Sequence, residues 1–186
     1  LGNTELFIPG RDIEISAGAG TETAPLFRGI IIRQSVRVRE RGGSQLVIEC
    51  RHAACKLTVG RKSAYYFDTK DSDVVAALLD GAGVDVDVED SAVTHEQLVQ
   101  FACSDWDFLL ARAEANGKLV FTNGAKVSVK APDFGGSPVC SLQFGATLLE
   151  LDAQIDARTQ FGAVKTKTWD PAQQALIEKD AVDPNV

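Results

Sequence analysis

SDWDFLLARAEANG, residues Ser104 to Gly117, decides how the rest of this chain is read. Ser104 has the chemistry of a helix N-cap, because its hydroxyl can accept from a backbone N–H that the first turn leaves free. Asp105 and Asp107 put negative charge where the helix dipole favours it. Trp106, Leu109, Leu110 and Ala113 recur at i, i+3, i+4 and i+7, which predicts one apolar face. Asn116-Gly117 predicts the stop, since glycine takes the left-handed conformation at little cost. Lys118 to Phe121 and Lys126 to Lys130 flank Asn123-Gly124, a strong turn signal, so the helix is expected to lead into a hairpin.

Outward from this stretch, Gln97 to Phe101 reads as a strand feeding the helix. Further upstream Asp71 or Ser72 is expected to cap a second helix, with Val74, Val75, Leu78 and Leu79 on its inner face and a stop at Gly81 or Gly83. The two helices are expected to pair, with Trp106 and Leu109 buried, and Tyr65, Tyr66 and Phe67 to anchor the module they build. Residues 63–136 thus read as an α/β module.

Residues 1–62 read as β. Leu6 to Ile8 is a short apolar run stopped by Pro9-Gly10. Arg11 to Ala17 alternates as a half-buried strand, and Gly18 to Pro25 reads as a loop. Leu26 to Arg39 reads as a long strand, apolar on both faces at Ile30, Ile31 and Ile32. Val36 and Val38 are then expected inward and Arg37 and Arg39 outward. Arg41 to Ser44 turns the chain, and Gln45 to Arg51 returns. Pro132 to Pro138 reads as a linker, beyond which residues 137–186 are β again. There Leu149, Leu151, Ala153, Ile155 and Ala157 alternate with polar residues through Arg158, a ten-residue strand pattern. Gly162 permits a bend, Ala163 to Trp169 continues as strand, Asp170-Pro171 turns, and Gln174 to Lys179 returns.

The 186 residues can bury a core as one domain or two small ones, and 45% hydrophobic with 24% charged residues is ordinary for a globular protein. No apolar run approaches the ~20 residues of a membrane-spanning helix, and no signal-peptide pattern opens the chain. The chain contains no Met, so Leu1 is expected to lie inside a longer natural chain. Charge is uneven. Residues 1–62 hold 10 basic and 6 acidic side chains, residues 63–118 hold 3 and 12, and residues 119–186 hold 6 and 8. Such a division suggests surfaces with different partners.

The chemistry-bearing motifs are weak. Gly18-x-Gly20 lacks a following helix and most of the phosphate-loop fingerprint. Arg28, Arg33, Arg37, Arg39, Arg41 and Arg51 form a basic set, but without interleaved aromatics in an acidic chain they argue against nucleic-acid binding. Cys50-x-His52-x-x-Cys55 matches no common zinc spacing. Asp85, Asp87, Glu89 and Glu96 mimic positions of a calcium loop, but Asp90 stands where the sharp turn needs glycine. The four cysteines, Cys50, Cys55, Cys103 and Cys140, form no disulfide framework and read as buried thiols. No catalytic, cofactor-binding or metal-binding residue is assigned, and no cofactor is expected.

The phrases FIPGRDIEISAG (residues 7–18), FRGIIIRQSVRVR (27–39), CKLTVGRKSAYY (55–66), the Ser104 helix with its strand and hairpin, and GATLLELDAQIDARTQFGAVKTKTWD (145–170) resemble, in order, the VgrG and late control gene D family. These are hub proteins of type VI secretion and contractile phage tails. The resemblance implies a predominantly β, mixed α+β fold with two tail-tube-like β-barrel modules around an α/β module. The boundaries are 1–62 for a first barrel incomplete at its N-terminus, 63–136, and 137–186 for the start of the second. The strands of residues 11–51 and 140–180 should then share one topology. The implied function is structural, not enzymatic: a trimer that joins a hexameric tail tube to a spike. Its partners would be that tube and the spike-tip and baseplate proteins, without nucleic acid or stable membrane insertion. A phage-tail or extracellular-injection hub is the alternative, and a hydrolase fragment a weaker one. A bacterial or phage origin, cytoplasmic assembly and delivery outside the cell without a signal peptide follow from the same resemblance. The full hub is expected to be a trimer, although this stretch without the spike can be monomeric.

Overall fold

The computed structural model describes residues 5–19, 22–39, 43–158 and 161–182. The chain divides into two compact units, Leu1–Pro132 and Asp133–Val186, with the boundary at the start of the 132–138 segment. Strand exceeds helix throughout, so the fold is mixed α+β and predominantly β. No closed barrel is present among the described residues.

The first unit begins with a 3-10 turn, Glu5–Phe7, and an antiparallel three-stranded sheet in the order β1 (Asp12–Ala19), β2 (Glu22–Arg39), β3 (Gly43–Arg51). The stretch expected as a loop from Gly18 to Pro25 is instead paired, with Gly18 opposite Thr23 and Ser16 opposite Pro25. Small residues allow it: a Cβ on Gly18 would fall 1.8 Å from the Glu22 carbonyl oxygen. The Arg41–Ser44 turn lies largely outside the described residues. At Gly29 the strands cross so closely that a Cβ would lie 2.2 Å from the Arg51 carbonyl oxygen, just before the register of β2 on β3 shifts between Ile31 and Arg33. Ile30 and Ile31 are buried on opposite faces, as the sequence predicts. Beyond them β1 no longer accompanies β2, and Val36 and Val38 are 57% and 75% exposed. The expectation that they point inward fails because no described element covers that face.

The chain then enters a 3-10 turn, Ala53–Thr58, and the α/β part: β4 (Lys62–Lys70), α1 (Asp71–Gly81), β5 (Asp85–Val88), β6 (Thr94–Cys103), α2 (Asp105–Ala115), β7 (Leu119–Asn123) and β8 (Lys126–Lys130). β4 pairs antiparallel with β6, while β5, β8 and β7 form a mixed sheet in that order, β5 parallel to β8. The two helices pack against both sheets. Val75, Leu79, Leu109 and Ala113 join Val84, Val127 and Val129 in one core, which Ala54 and Leu57 of the 3-10 turn close. Val74 and Phe108 join Leu98, with Tyr66 and Leu78 beside them, in the other. A single apolar stripe therefore understates α2: Phe108 is buried, whereas Trp106 is only half-buried. Tyr66 stacks on Phe108 with ring centroids 6.0 Å apart, but Tyr65 and Phe67 point away from the helices and are exposed.

Ser104 caps α2, accepting from the Asp107 N–H at 3.0 Å, and Gly117 follows with φ +63°. α1 has no such cap. Lys70 occupies the N-cap position without a capping side-chain bond, and Asp71 and Ser72 are helical.

In the second unit β9 (Lys165–Asp170) and β10 (Ala175–Asp180) form a hairpin. Asp170 Oδ1 accepts from the N–H groups of Ala172 and Gln173, which fixes its turn. The ten-residue strand expected over Leu149–Arg158 does not form. Its residues have no ladder partner among the described residues, and Leu149 and Ile155 are 87% and 91% exposed. The common topology expected for residues 11–51 and 140–180 is therefore absent among the described residues: the first gives three paired strands and the second one hairpin.

Candidate functional site

The most concentrated polar chemistry sits where α1 begins. Asp71 is buried at the first helical position, where the positive end of the helix dipole favours a carboxylate. Arg112 of α2 donates to its two oxygens at 2.5 and 2.9 Å, and Asn116 Nδ2 donates at 2.9 Å. His95 Nε2 of β6 lies 3.0 Å away. Burial alone would raise the Asp71 pKa, but the hydrogen bonds from Arg112, Asn116 and His95 outweigh it and hold the carboxyl well below the usual carboxylate range. Both carboxylate oxygens are committed, so the group ties α1, α2 and β6 together.

A second set clamps the Glu89–Ser91 segment onto the helices. Lys118, itself buried, donates to the carbonyls of Glu89 and Asp90 at 2.5 and 2.8 Å, and Lys70 pairs with Asp90 at 2.8 Å. Ser91 Oγ accepts from the Ser72 N–H at 3.1 Å, supplying from the β5–β6 connection the bond that no cap side chain makes. Nothing in the sequence pointed to His95 or Arg112, or to these roles for Asn116 and Lys118.

The motifs weighed as ligand sites are dispersed. His52 Nδ1 accepts from the Ala54 N–H at 3.1 Å, so His52 caps a 3-10 turn, and its neutral ring carries the proton on Nε2. Burial lowers its pKa, partly offset by the nearby Gly124 backbone. Among the described residues no three His, Cys, Asp or Glu side chains gather as a metal site. Asp85 and Asp87 belong to β5, where Asp87 pairs with Lys130 at 2.9 Å, and Asp90 faces Lys70. The calcium-loop residues therefore form sheet and ion pairs. Gly18 lies within β1, and Gly20 is outside the described residues. Arg28 and Arg51 pair with Glu14 and Glu49, and Arg33 also pairs with Glu49. The larger cavities, about 360 and 430 Å³, open between the β1–β2 hairpin and the Asn123–Lys126 turn and share Arg28, Gly124 and Ala125.

What remains is surface. On β4–β6 the register sets Tyr65 opposite Val99, with Phe67 and Phe101 two residues along on the same face. All four are exposed, Phe101 at 77%, while Tyr66 and Leu98 on the reverse face reach the helices. No described helix is long and apolar enough to cross a membrane.

This geometry has counterparts among solved structures. The 43 kDa tail protein of prophage MuSo2 from Shewanella oneidensis superposes with a TM-score of 0.65 at 14% identity, over 99% of this chain and 58% of that one. A tail protein from Neisseria meningitidis MC58 does so with a TM-score of 0.64 at 16% identity, over 89% and 54% of the two chains. The fold is thus that of phage tail proteins, and the chain spans a little over half the length of each. No curated protein matches the sequence. The family model that matches is not that of VgrG or late control gene D proteins but that of the Alg8 N-terminal domain, over residues 1–186. This chain therefore belongs to the Alg8 N-terminal domain family.

Proposed function

We propose that the chain is part of a structural hub in a contractile, tail-like injection machine, and that three copies form the ring between a hexameric tube and a spike. The observation that carries this reading is the likeness to the prophage tail protein over 99% of the chain at only 14% identity. The order of family-like phrases from Phe7 to Asp170 supports the VgrG-type version of that hub. The two tail proteins favour its close alternative, the hub of a phage tail or a related extracellular particle. The work is mechanical, with no covalent step. The two β regions, 1–62 and 137–186, are read as parts of tail-tube-like modules whose remaining strands come from elsewhere in the assembly, and the exposed faces of β2–β3 and of Leu149–Arg158 fit that reading. The partners are the tube, the spike tip and the baseplate, reached after cytoplasmic assembly and without a signal peptide.

Light scattering of the natural protein that carries this sequence through its spike, alone and with the tube hexamer, tests the proposal. A trimer that binds tube ends in electron micrographs is expected. A stable monomer that ignores the tube would overturn it.

A further inference from the structure

From two incomplete ladders in this chain we infer that neighbouring copies join by strand addition. The segment Leu149–Arg158 of one copy pairs antiparallel with the open edge of β2, residues 33–39, in the next. The inference rests on the ring assembly proposed above and names the strands that close it.

The receiving edge belongs to β2. β1 accompanies it only as far as Ile31, whose N–H and C=O bond to Arg11 and Gly10. From Arg33 to Arg39, β3 fills one edge and no described residue fills the other. Such an edge is a template for a further strand. Its two faces differ. Past the register shift Val36 and Val38 lie exposed on one face, while Arg33, Ser35, Arg37 and Arg39 lie on the other. Arg33 pairs with Glu49, but Arg37 and Arg39 have no carboxylate partner among the described residues.

The incoming segment carries the complement of both faces. Leu149–Arg158 contains no Pro or Gly, so every N–H is free to join a ladder. Extended, it places Leu151, Ala153 and Ile155 on one face and Glu150, Asp152 and Asp156 on the other. Asp156 pairs with Arg158, two residues on, and Glu150 and Asp152 have no cationic partner among the described residues.

One antiparallel register satisfies both faces at once. With Val38 opposite Leu151 and Val36 opposite Ala153, Arg39 faces Glu150, Arg37 faces Asp152 and Arg33 faces Asp156. A slip of one residue sets apolar side chains against charged ones. A slip of two sets Arg33 against Arg158 in one direction and Arg39 against Leu148 in the other. The open edge of β9, in the segment's own unit, offers no such match. Thr166 and Thr168 occupy one of its faces, and Lys165 and Lys167 on the other already pair with Glu178. A strand meeting an unlike edge is a heterologous contact, which propagates from copy to copy and closes into a ring.

A photo-crosslinking residue in place of Leu151, in the natural full-length protein mixed with an isotope-labelled copy, tests the pairing. Crosslinks between copies should map to β2 around Val38. Glu150→Arg with Asp152→Arg should lower their yield roughly tenfold, and adding Arg37→Glu with Arg39→Glu should restore it. This charge-swap rescue separates a true contact from misfolding. Crosslinks that map elsewhere or only within one chain, or a charge reversal without rescue, in a protein that still forms its trimer would overturn the strand addition and leave the hub standing. A protein that stays monomeric and ignores the tube would remove the hub reading and the strand addition with it.

Discussion

β6 and the segment Leu149–Arg158 make an instructive pair. The sequence of β6, THEQLVQFAC, alternates poorly, whereas Leu149–Arg158 alternates apolar and polar without a fault. Yet β6 is a strand paired with β4 over its length, and Leu149–Arg158 is irregular and exposed. Alternation describes a strand with one wet and one dry face, and it leads to a strand only where a partner supplies the ladder and the dry side. β6 has both, from β4 and from the two helices. Its buried positions include a polar one: Gln100 lies fully buried, donating to Asp105 at 2.9 Å and accepting from Tyr66 at 3.1 Å. The second segment has neither among the described residues.

The comparison can be sharpened by substitution. The largest effect is expected where the helices sandwich the core. Leu109 is fully buried, and Leu109→Ala should cost roughly 2–5 kcal/mol in urea unfolding, as loss of a core leucine does. An unchanged midpoint would mean that α2 does not hold the two sheets together.

Next is Asp71. Removing it with Asp71→Ala leaves Arg112 and His95 facing each other without their carboxylate, which should cost about 2–3 kcal/mol, less than for a wholly buried pair because both partners keep some water. The pH dependence has a definite sign. The folded pKa lies below the unfolded value of about 3.9. The contribution is therefore fully present above that pH and drains away as pH falls toward the folded pKa. In Asp71→Asn this acid-side slope should flatten, and a slope identical to wild type would show that other carboxylates carry it.

The cap comes third. Ser104→Ala removes an acceptor for the Asp107 N–H and should cost about 1 kcal/mol, whereas Ser104→Asp should retain most of it. Thermal melts of the three proteins would show whether the order holds.

The smallest effect belongs to the alternating segment. Leu151→Thr or Ile155→Thr should change the stability of this chain by less than about 0.5 kcal/mol, the range of ordinary surface substitutions. The same changes should weaken the natural assembly if the segment finds its ladder there. A loss above about 1 kcal/mol in the isolated chain would show that these residues are already packed.

The sequence by itself determined what depends on a few neighbouring residues. It placed the Ser104 cap, the left-handed Gly117, the Asn123-Gly124 hairpin, the long β2 and the Asp170 turn, because a hydroxyl, a missing Cβ or a short carboxylate acts within one turn of its own backbone. The tail-like character was also legible, from phrases spread along the chain, although the family they suggested was not the one that matches. Only the tertiary structure decided which surfaces are dry. Phe108 is buried and Tyr65 exposed, Val36 faces out, and Asp71 binds His95, Arg112 and Asn116, which lie 24, 41 and 45 residues away. Burial and long-range pairing belong to two elements at once, and a side chain carries no sign of which distant element will arrive to cover it.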